Sequence, residues 1–515
     1  MSIAILLEMP VSMDPDKEAI VDGDLRLTLG QVDTLVNKGA ARIVESGARC
    51  VAYVGTGGAA MPVLLFASAR AGVPFAPLNY RLTADALVEL IERLPGVVVV
   101  ADADYADVAA RAGVQVLDSA QFLDVEAAAG ADPVSGDVAG SAASGTNVDV
   151  DPDSLAVVLF TSGTTSKPKA VEITHANLTS YVMGTVDFAS ADPADAALIC
   201  VPPYHIAGVS AALSNLYAGR RAIYLRRFDP AAWLRLVHDE GVTNATVVPT
   251  MLDRIIAVFE KSPVELPTLR NLAYGGSKVP QPLVRRTLDV LGHVGLVNAY
   301  GLTETSSTIA VLGPDDHREA YASDDPAISR RLGSVGRAVP GIELQIRDDA
   351  GTVLGADETG ELFIRGPQVS GKYTGIGSVL DAEGWFPTKD VASIDADGYL
   401  FIGGRSDDTI IRGGENIAPA EVEDALVEHP SIRDVVAIGI ADPEWGQAIV
   451  AVVVREEGVS EADLDAEAVR EFARTKLRGS RTPDHVVFRD ELPATATGKI
   501  LRRVLVDELT PATAE

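Results

Sequence analysis

Residues 159–171 read Leu159-Phe-Thr161-Ser-Gly-Thr-Thr165-Ser-Lys-Pro-Lys169-Ala-Val. An apolar run beginning at Leu155 passes directly into a loop crowded with hydroxyls, one glycine and two lysines. The run is short and apolar, which predicts a buried strand over 155–161. The loop brings backbone N–H groups, side-chain hydroxyls and positive charge together, and a polyphosphate needs those donors in one place. Taken alone, the segment is also compatible with an ordinary Ser/Thr-rich turn.

On either side of this loop, short apolar runs alternate with helical patterns through the first 300 residues. Strands are predicted over 50–54, 97–100, 197–201, 246–248 and 296–299. That alternation implies βαβ units and helix-covered sheets. From about Gly341 the texture changes: strands over 342–347, 361–365 and 399–402 are separated by Asp/Gly turns, as in an antiparallel or barrel-like section. A tail from about Thr409 has its own pattern. A helix begins near Pro419, strands follow over 435–440 and 449–454, and a longer helix lies around 463–477. The fold class expected is α/β: a large N-terminal domain of helix-covered mixed β-sheets plus a barrel-like section, followed by a small α+β domain. Residues 131–153, rich in Gly, Ser, Ala and Asp without apolar period, read as a surface loop or linker.

With 515 residues, the chain exceeds one ordinary core, so at least two domains are expected. Lys and Arg total 43 against 73 Asp and Glu, a net charge of −30, and such a field repels nucleic acid and anionic membranes. A polyanionic substrate must therefore meet local donors. Two cysteines, Cys50 and Cys200, make no disulfide scaffold and no zinc pair. Residues 1–10 lack the basic front of a signal peptide, and no apolar run reaches the roughly 20 residues that span a bilayer. A cytoplasmic location is expected.

Three motifs are set aside. Gly55-Thr-Gly57-Gly-Ala-Ala60 has dinucleotide spacing, but the following strand ends at Pro77-Leu-Asn79-Tyr80 without the acidic residue that a ribose requires. Gly366-Pro-Gln-Val-Ser-Gly371-Lys372 has Walker spacing, but Tyr373 occupies the place of the magnesium-binding Ser or Thr. The Ser-rich loops contain no G-x-S-x-G elbow.

The phosphate loop then gains companions in a fixed order: Thr174-His-Ala-Asn-Leu178, Tyr300-Gly-Leu-Thr-Glu304-Thr, Gly333-Ser-Val-Gly-Arg-Ala-Val-Pro-Gly341, Gly384-Trp-Phe, Gly404-Arg405-Ser-Asp-Asp408 and Gly498-Lys499-Ile-Leu-Arg-Arg503. Together they resemble the adenylate-forming (ANL) superfamily, which includes acyl-CoA synthetases, luciferases and peptide-synthetase adenylation domains. The resemblance covers nearly the whole chain. It implies an N-terminal AMP-binding domain over 1–406 and a mobile C-terminal domain over 407–515. It departs from the family at Ser166 and Ala170 in the phosphate loop and at Pro387 and Lys389, where His and Gly are usual.

The resemblance implies an AMP-forming acid–thiol ligase. ATP and a carboxylic acid, expected to be a fatty acid, give an acyl-adenylate and pyrophosphate; coenzyme A then takes the acyl group and releases AMP. Thr161, Ser162, Gly163, Thr164, Thr165 and Lys169 would grip the β- and γ-phosphates. Thr303 would donate to the α-phosphate, and Glu304 would hold Mg²⁺ against phosphate oxygens. Tyr300, Gly301, Asn298 and the Gly275-Gly276-Ser277 backbone would line the adenine, with Asp390 and Arg405 at the ribose. His205 would gate the acyl site. Lys499 would reach into the first half-reaction as a mobile point charge. Asp407 would be the hinge, after which Gly413, Gly414 and Glu415 would line the pantetheine channel. The region near His205 lacks the Asp that adenylation domains use for an amino group, which favours an acid without one. The alternatives are an acyl-AMP ligase loading a carrier-protein phosphopantetheine, a luciferase-type monooxygenase, and a non-catalytic binder of nucleotide or acyl ligands. Partners are small molecules, with a homodimer as a permitted assembly.

Overall fold

The computed structural model describes residues 1–124, 148–161, 168–495 and 498–510. Among the described residues, two large sheets dominate. One has nine strands: Arg337–Ala338, Ser307–Leu312, Gly295–Leu302, Asn271–Gly275, Asn244–Val247, Ala196–Ile199, Arg221–Tyr224, Glu18–Asp22 and Leu25–Thr28, in that order. Its centre is parallel and its edges antiparallel. The other has eight strands and contains Lys169–Thr174, Leu155–Thr161, Phe75–Pro77, Cys50–Val54 and Val97–Ala101 as neighbours.

The side-chain pattern explains the layering. In Cys50–Val54 every residue is buried; Val51 and Tyr53 face one core, while Cys50, Ala52 and Val54 face another. Ile199 and Leu198 divide in the same way in the first sheet. Strands covered on both faces read as continuous apolar runs, which is why they were legible in the sequence. Between the two sheets lie Leu29–Ser46, Ala60–Arg70, His175–Thr185 and Ile206–Ala218, whose apolar residues share one core. Ala60–Arg70 is buried along its whole length. The helix Leu29–Ser46 starts at a Thr28/Gln31 capping box and stops at Gly47, which takes φ +68°. Helices on the outer faces complete five layers.

The section after Gly341 is a four-stranded antiparallel sheet of Glu343–Arg347, Gly360–Arg365, Phe386–Ile394 and Leu400–Arg405. The tail is a small α+β unit. Its strands Ile432–Asp442, Gly446–Arg455 and His485–Phe488 form one sheet. Val435 and Ala437 face the helices Pro419–Leu426 and Ala466–Lys476, whereas Val436 and Ile438 face Arg502–Leu509. The expected strands are found, most of them one to three residues longer or shifted at an end; the tail helix spans Ala466–Lys476 rather than 463–477. Most of the expected linker lies outside the described residues, and 148–153 form no helix or strand. No described helix is long and apolar enough to cross a membrane.

Both glycine-rich decoys are accounted for. At 55–58 the amides of Thr56 and Ala59 are already held by the carboxylates of Asp102 (2.9 Å) and Asp22 (2.8 Å), so they do not present themselves to a phosphate. At 366–372 the preceding strand belongs to the antiparallel sheet, and no helix follows.

Candidate adenylation site

Thr161 and Lys169 face each other as the last pair of an antiparallel ladder, so the phosphate loop is the connection of a hairpin. The Thr161 hydroxyl reaches Lys169 O at 3.5 Å. Ser162, Gly163, Thr164 and Thr165, and also Ser166, lie outside the described residues. The Lys169 ammonium stands 5.5 Å above the ring of Tyr373.

The residues expected to line the adenine come from carboxyl ends of neighbouring parallel strands, Asn271–Gly275 and Gly295–Leu302, where open α/β sheets bind ligands. Two glycines are dictated by close approach. A Cβ on Gly275 would fall 2.1 Å from Ala299 O, and one on Gly301 would fall 1.9 Å from Ser307 O. Gly276 takes φ +86°, and half-buried Ser277 follows it. Asn298 donates from its side chain to Ser334 O at 3.1 Å.

Tyr300 donates its hydroxyl to Asp390 Oδ2, and Arg405 donates to Asp390 Oδ1 at 3.2 Å. Asp390 is 5% exposed. Burial raises its pKa, while Tyr300, Arg405 and Lys499 pull the other way. Burial likewise pushes the Tyr300 phenol well above its ordinary range. Lys499 acts on this carboxylate by charge alone, as the weakest of the three, from 109 positions later in the chain at the exposed end of a turn. Gly498, with φ +74°, brings that turn against the main body: a Cβ there would lie 2.9 Å from Thr250.

Thr303 and Glu304 occupy a short 3₁₀ turn, Thr303–Thr305, that follows the strand Gly295–Leu302. Ser306 and Ser307 then take φ +56° and +125°, which bends the chain back into Ser307–Leu312. Glu304 accepts from the Tyr373 hydroxyl at 2.8 Å through Oε1. Its Oε2 has no hydrogen-bond partner among the described residues. No group of three or more His, Cys, Asp or Glu that could hold a metal unaided occurs among the described residues. A carboxylate oxygen unpartnered among the described residues, near the loop expected to hold the phosphates, fits Mg²⁺, which binds through one or two carboxylates plus substrate phosphates.

His205 precedes the helix Ile206–Ala218, its ring 4.6 Å from that of Tyr204. Burial, reinforced by Arg81, lowers its pKa to about 4, so the imidazole is neutral at pH 7. Asp407 lies 3.6 Å from the Lys389 ammonium. Lys389 itself takes φ +63°, the left-handed conformation that explains why a glycine is usual there and that costs a side chain about 1 kcal/mol.

The structure thus brings Tyr300, Asp390 and Arg405 together, with Lys499 acting on Asp390 by charge, and places Thr303 and Glu304 beside the strand Lys169–Thr174. It does not bring Gly413, Gly414 and Glu415 to them. Those residues turn a two-residue hairpin with φ +58° and +83° at the glycines, packed within the tail against Trp445 and Ser480. Tyr373, Gln368 and Thr388, the last accepting from Arg405 through its carbonyl at 3.1 Å and from Asp390 N through its hydroxyl at 3.0 Å, were missed in the sequence; Tyr373 stood out only as the wrong residue in a Walker-spaced stretch.

Comparison with known proteins places these residues in a family. A family model described as AMP-binding enzyme matches residues 7–374, and one described as AMP-binding enzyme C-terminal domain matches 421–499. The chain is 32% identical over 521 residues to indoleacetate–CoA ligase of Aromatoleum aromaticum, covering 97% of this chain and 96% of that protein. It is 32% identical over 498 residues to feruloyl-CoA synthase of an Amycolatopsis species, covering 95% of each. The o-succinylbenzoate coenzyme A synthetase of Bacillus subtilis in complex with ATP and magnesium ion superposes with a TM-score of 0.79 at 25% identity, over 97% of this chain and 98% of that one.

Proposed function

Since the chain belongs to the AMP-binding enzyme family, we propose that this site carries out both half-reactions of an AMP-forming acid–CoA ligase. In the first, the substrate carboxylate attacks the α-phosphorus of ATP and pyrophosphate leaves. In the second, the thiol of coenzyme A attacks the acyl carbon and AMP leaves.

The protein's contribution is positioning and charge neutralisation rather than covalent chemistry. Asp390, fixed by Tyr300 and Arg405, accepts from the ribose hydroxyls. The Gly275–Gly276 backbone and Tyr300 seat the adenine, and Asn298 and Gly301 shape the same wall. The hairpin from Thr161 to Lys169, with Ser162, Gly163, Thr164 and Thr165, holds the terminal phosphates. Thr303 donates to the α-phosphate. Glu304 holds Mg²⁺, which when bound neutralises charge on the phosphate oxygens. Lys499 lies between the incoming carboxylate and the phosphate. The single observation that carries this reading is the buried Tyr300–Asp390–Arg405 cluster, toward which the tail's Gly498–Lys499 turn is packed against Thr250 of the main body.

In this pose the tail is set for the first step. The proposed hinge is at Asp407, between domains 1–406 and 407–515. The ion pair Lys278–Asp424 across the two is 44% and 61% exposed, and such pairs contribute about 0–1 kcal/mol, too little to lock the tail. Rotation would then carry Gly413, Gly414 and Glu415 toward the acyl-adenylate, with neutral His205 gating the acyl side.

The acid is proposed to be an aryl or arylalkanoic acid before a fatty acid. The expectation of a fatty acid is not what these relatives favour: their names specify indoleacetate, ferulate and o-succinylbenzoate. A location in the cytoplasm and action without a macromolecular partner complete the proposal.

The test is product analysis by mass spectrometry with ATP, Mg²⁺ and coenzyme A over indoleacetic, hydroxycinnamic, benzoic and C4–C16 fatty acids. Acyl-CoA and AMP in equal amounts, with an aromatic acid preferred, are expected. Acyl-adenylate without thioester in every case would turn the proposal toward a carrier-protein acceptor; no acid-dependent AMP would contradict ligase activity.

A further inference from the structure

The Walker-spaced segment that binds no phosphate has another job. Residues 366–374 run between the strand leaving the phosphate loop and the turn carrying Glu304, and they hydrogen-bond to both. Toward the turn, the buried amide of Gln368 donates to Thr305 O and Thr308 O, each at 2.9 Å. Ser370 N donates to Glu304 O at 2.8 Å, and the Tyr373 hydroxyl donates to Glu304 Oε1 at 2.8 Å. Toward the strand, Thr374 N donates to Ala170 O at 2.9 Å and Tyr373 pairs with Val171. Ser370 Oγ donates to Glu172 O, while Lys372 and Thr374 bind the Glu172 carboxylate at 3.1 and 2.9 Å.

A carboxylate on a half-buried turn, left without a partner, would sample several rotamers. Here one oxygen is fixed by a phenol whose ring is itself packed against the core beneath Lys169, and the other has no hydrogen-bond partner among the described residues. We infer that Tyr373 is a positioning residue for the metal: it holds Glu304 by Oε1, so that Oε2 would remain available to Mg²⁺. The inference rests on the assignment of Glu304 to the metal made above. Tyr373 touches neither metal nor nucleotide; it acts through Glu304. Groups that orient a metal ligand in this way commonly change metal affinity by about 10- to 100-fold when removed.

The variant is Tyr373→Phe in the full chain, which keeps the ring and its packing. ATP binding is measured by calorimetry at graded Mg²⁺, beside wild type and Glu304→Gln, and repeated with Mn²⁺ followed by electron paramagnetic resonance. The Mg²⁺ concentration that half-maximally tightens ATP binding is expected to rise about 10-fold, with the affinity for metal-free ATP unchanged and the Mn²⁺ signal shifted in parallel. An unchanged midpoint in Tyr373→Phe while Glu304→Gln shifts would overturn the inference and leave Glu304's role standing. Unchanged midpoints in both variants would overturn both. Equal loss of ATP affinity with and without metal would make Tyr373 a packing residue only.

Discussion

The hydroxyl of Tyr300 and the carboxylate of Asp390, 90 residues apart in sequence, are joined by a hydrogen bond beneath the proposed ribose position. The bond ties the nine-stranded sheet to the four-stranded antiparallel sheet, so the nucleotide seat forms only when both are in place.

Asp390→Asn separates stability from function. Burial raises the pKa of Asp390, so its ionised form is disfavoured in the fold; that contribution to stability is present below the unfolded pKa and lost as pH rises through the folded one. At pH 7 the variant is expected to melt no lower than wild type, while KM for ATP rises about 10- to 100-fold through loss of a charged acceptor. Thermal melts and ATP saturation curves check both halves; an unchanged KM would remove Asp390 from the ribose.

Lys499→Ala is expected to abolish adenylate formation by about 100-fold or more, on the scale of a lost transition-state charge contact. Thioester formation from supplied acyl-adenylate should persist. Single-turnover assays of each half-reaction distinguish this from a general loss, which would contradict the two-pose arrangement.

Gly301→Ala places a methyl group 1.9 Å from Ser307 O, in a segment already bent at Ser306 and Ser307. Overpacking of this kind costs about 1–3 kcal/mol. A lowered melting temperature together with a raised KM for ATP is expected; normal values for both would show that the two strands can separate without consequence.

Stability should fall as pH drops from 6.5 toward 4. His175 is buried, its Nδ1 accepts from Ile3 N at 3.3 Å, and burial lowers its pKa to about 4. The unfolded chain takes up a proton from pH 6.5 downward while the folded chain does not, so stability rises with pH across that window. The shift corresponds to about 3 kcal/mol when fully expressed. His175→Asn should flatten the acid limb of a denaturation-against-pH curve by about one proton, whereas an unchanged slope would contradict the assignment.

The strands of the two large sheets were legible because both faces are covered and the apolar run is continuous; Cys50–Val54 is the plainest case. The tail helix was legible from Pro419. The phosphate loop, Glu304 and Lys499 were singled out through motifs, and their roles belong to the proposal. Tyr373 was not, because its role depends on a two-residue strand pairing with Val171, some 200 positions earlier, which leaves no local pattern. The amides of the 55–58 loop could not be known to be occupied, since Asp22 and Asp102 arrive from other strand ends. Lys389 showed as a departure in sequence; that it stands at φ +63° is a property of the fold.

The most direct measurement is acid-dependent exchange of labelled pyrophosphate into ATP without coenzyme A, because it detects reversible adenylate formation alone. Exchange is expected only when a substrate acid and Mg²⁺ are both present, to be drained when coenzyme A is added, and to vanish in Lys499→Ala. Exchange that persists in that variant, or that fails with every acid in the panel, would contradict adenylation at this site.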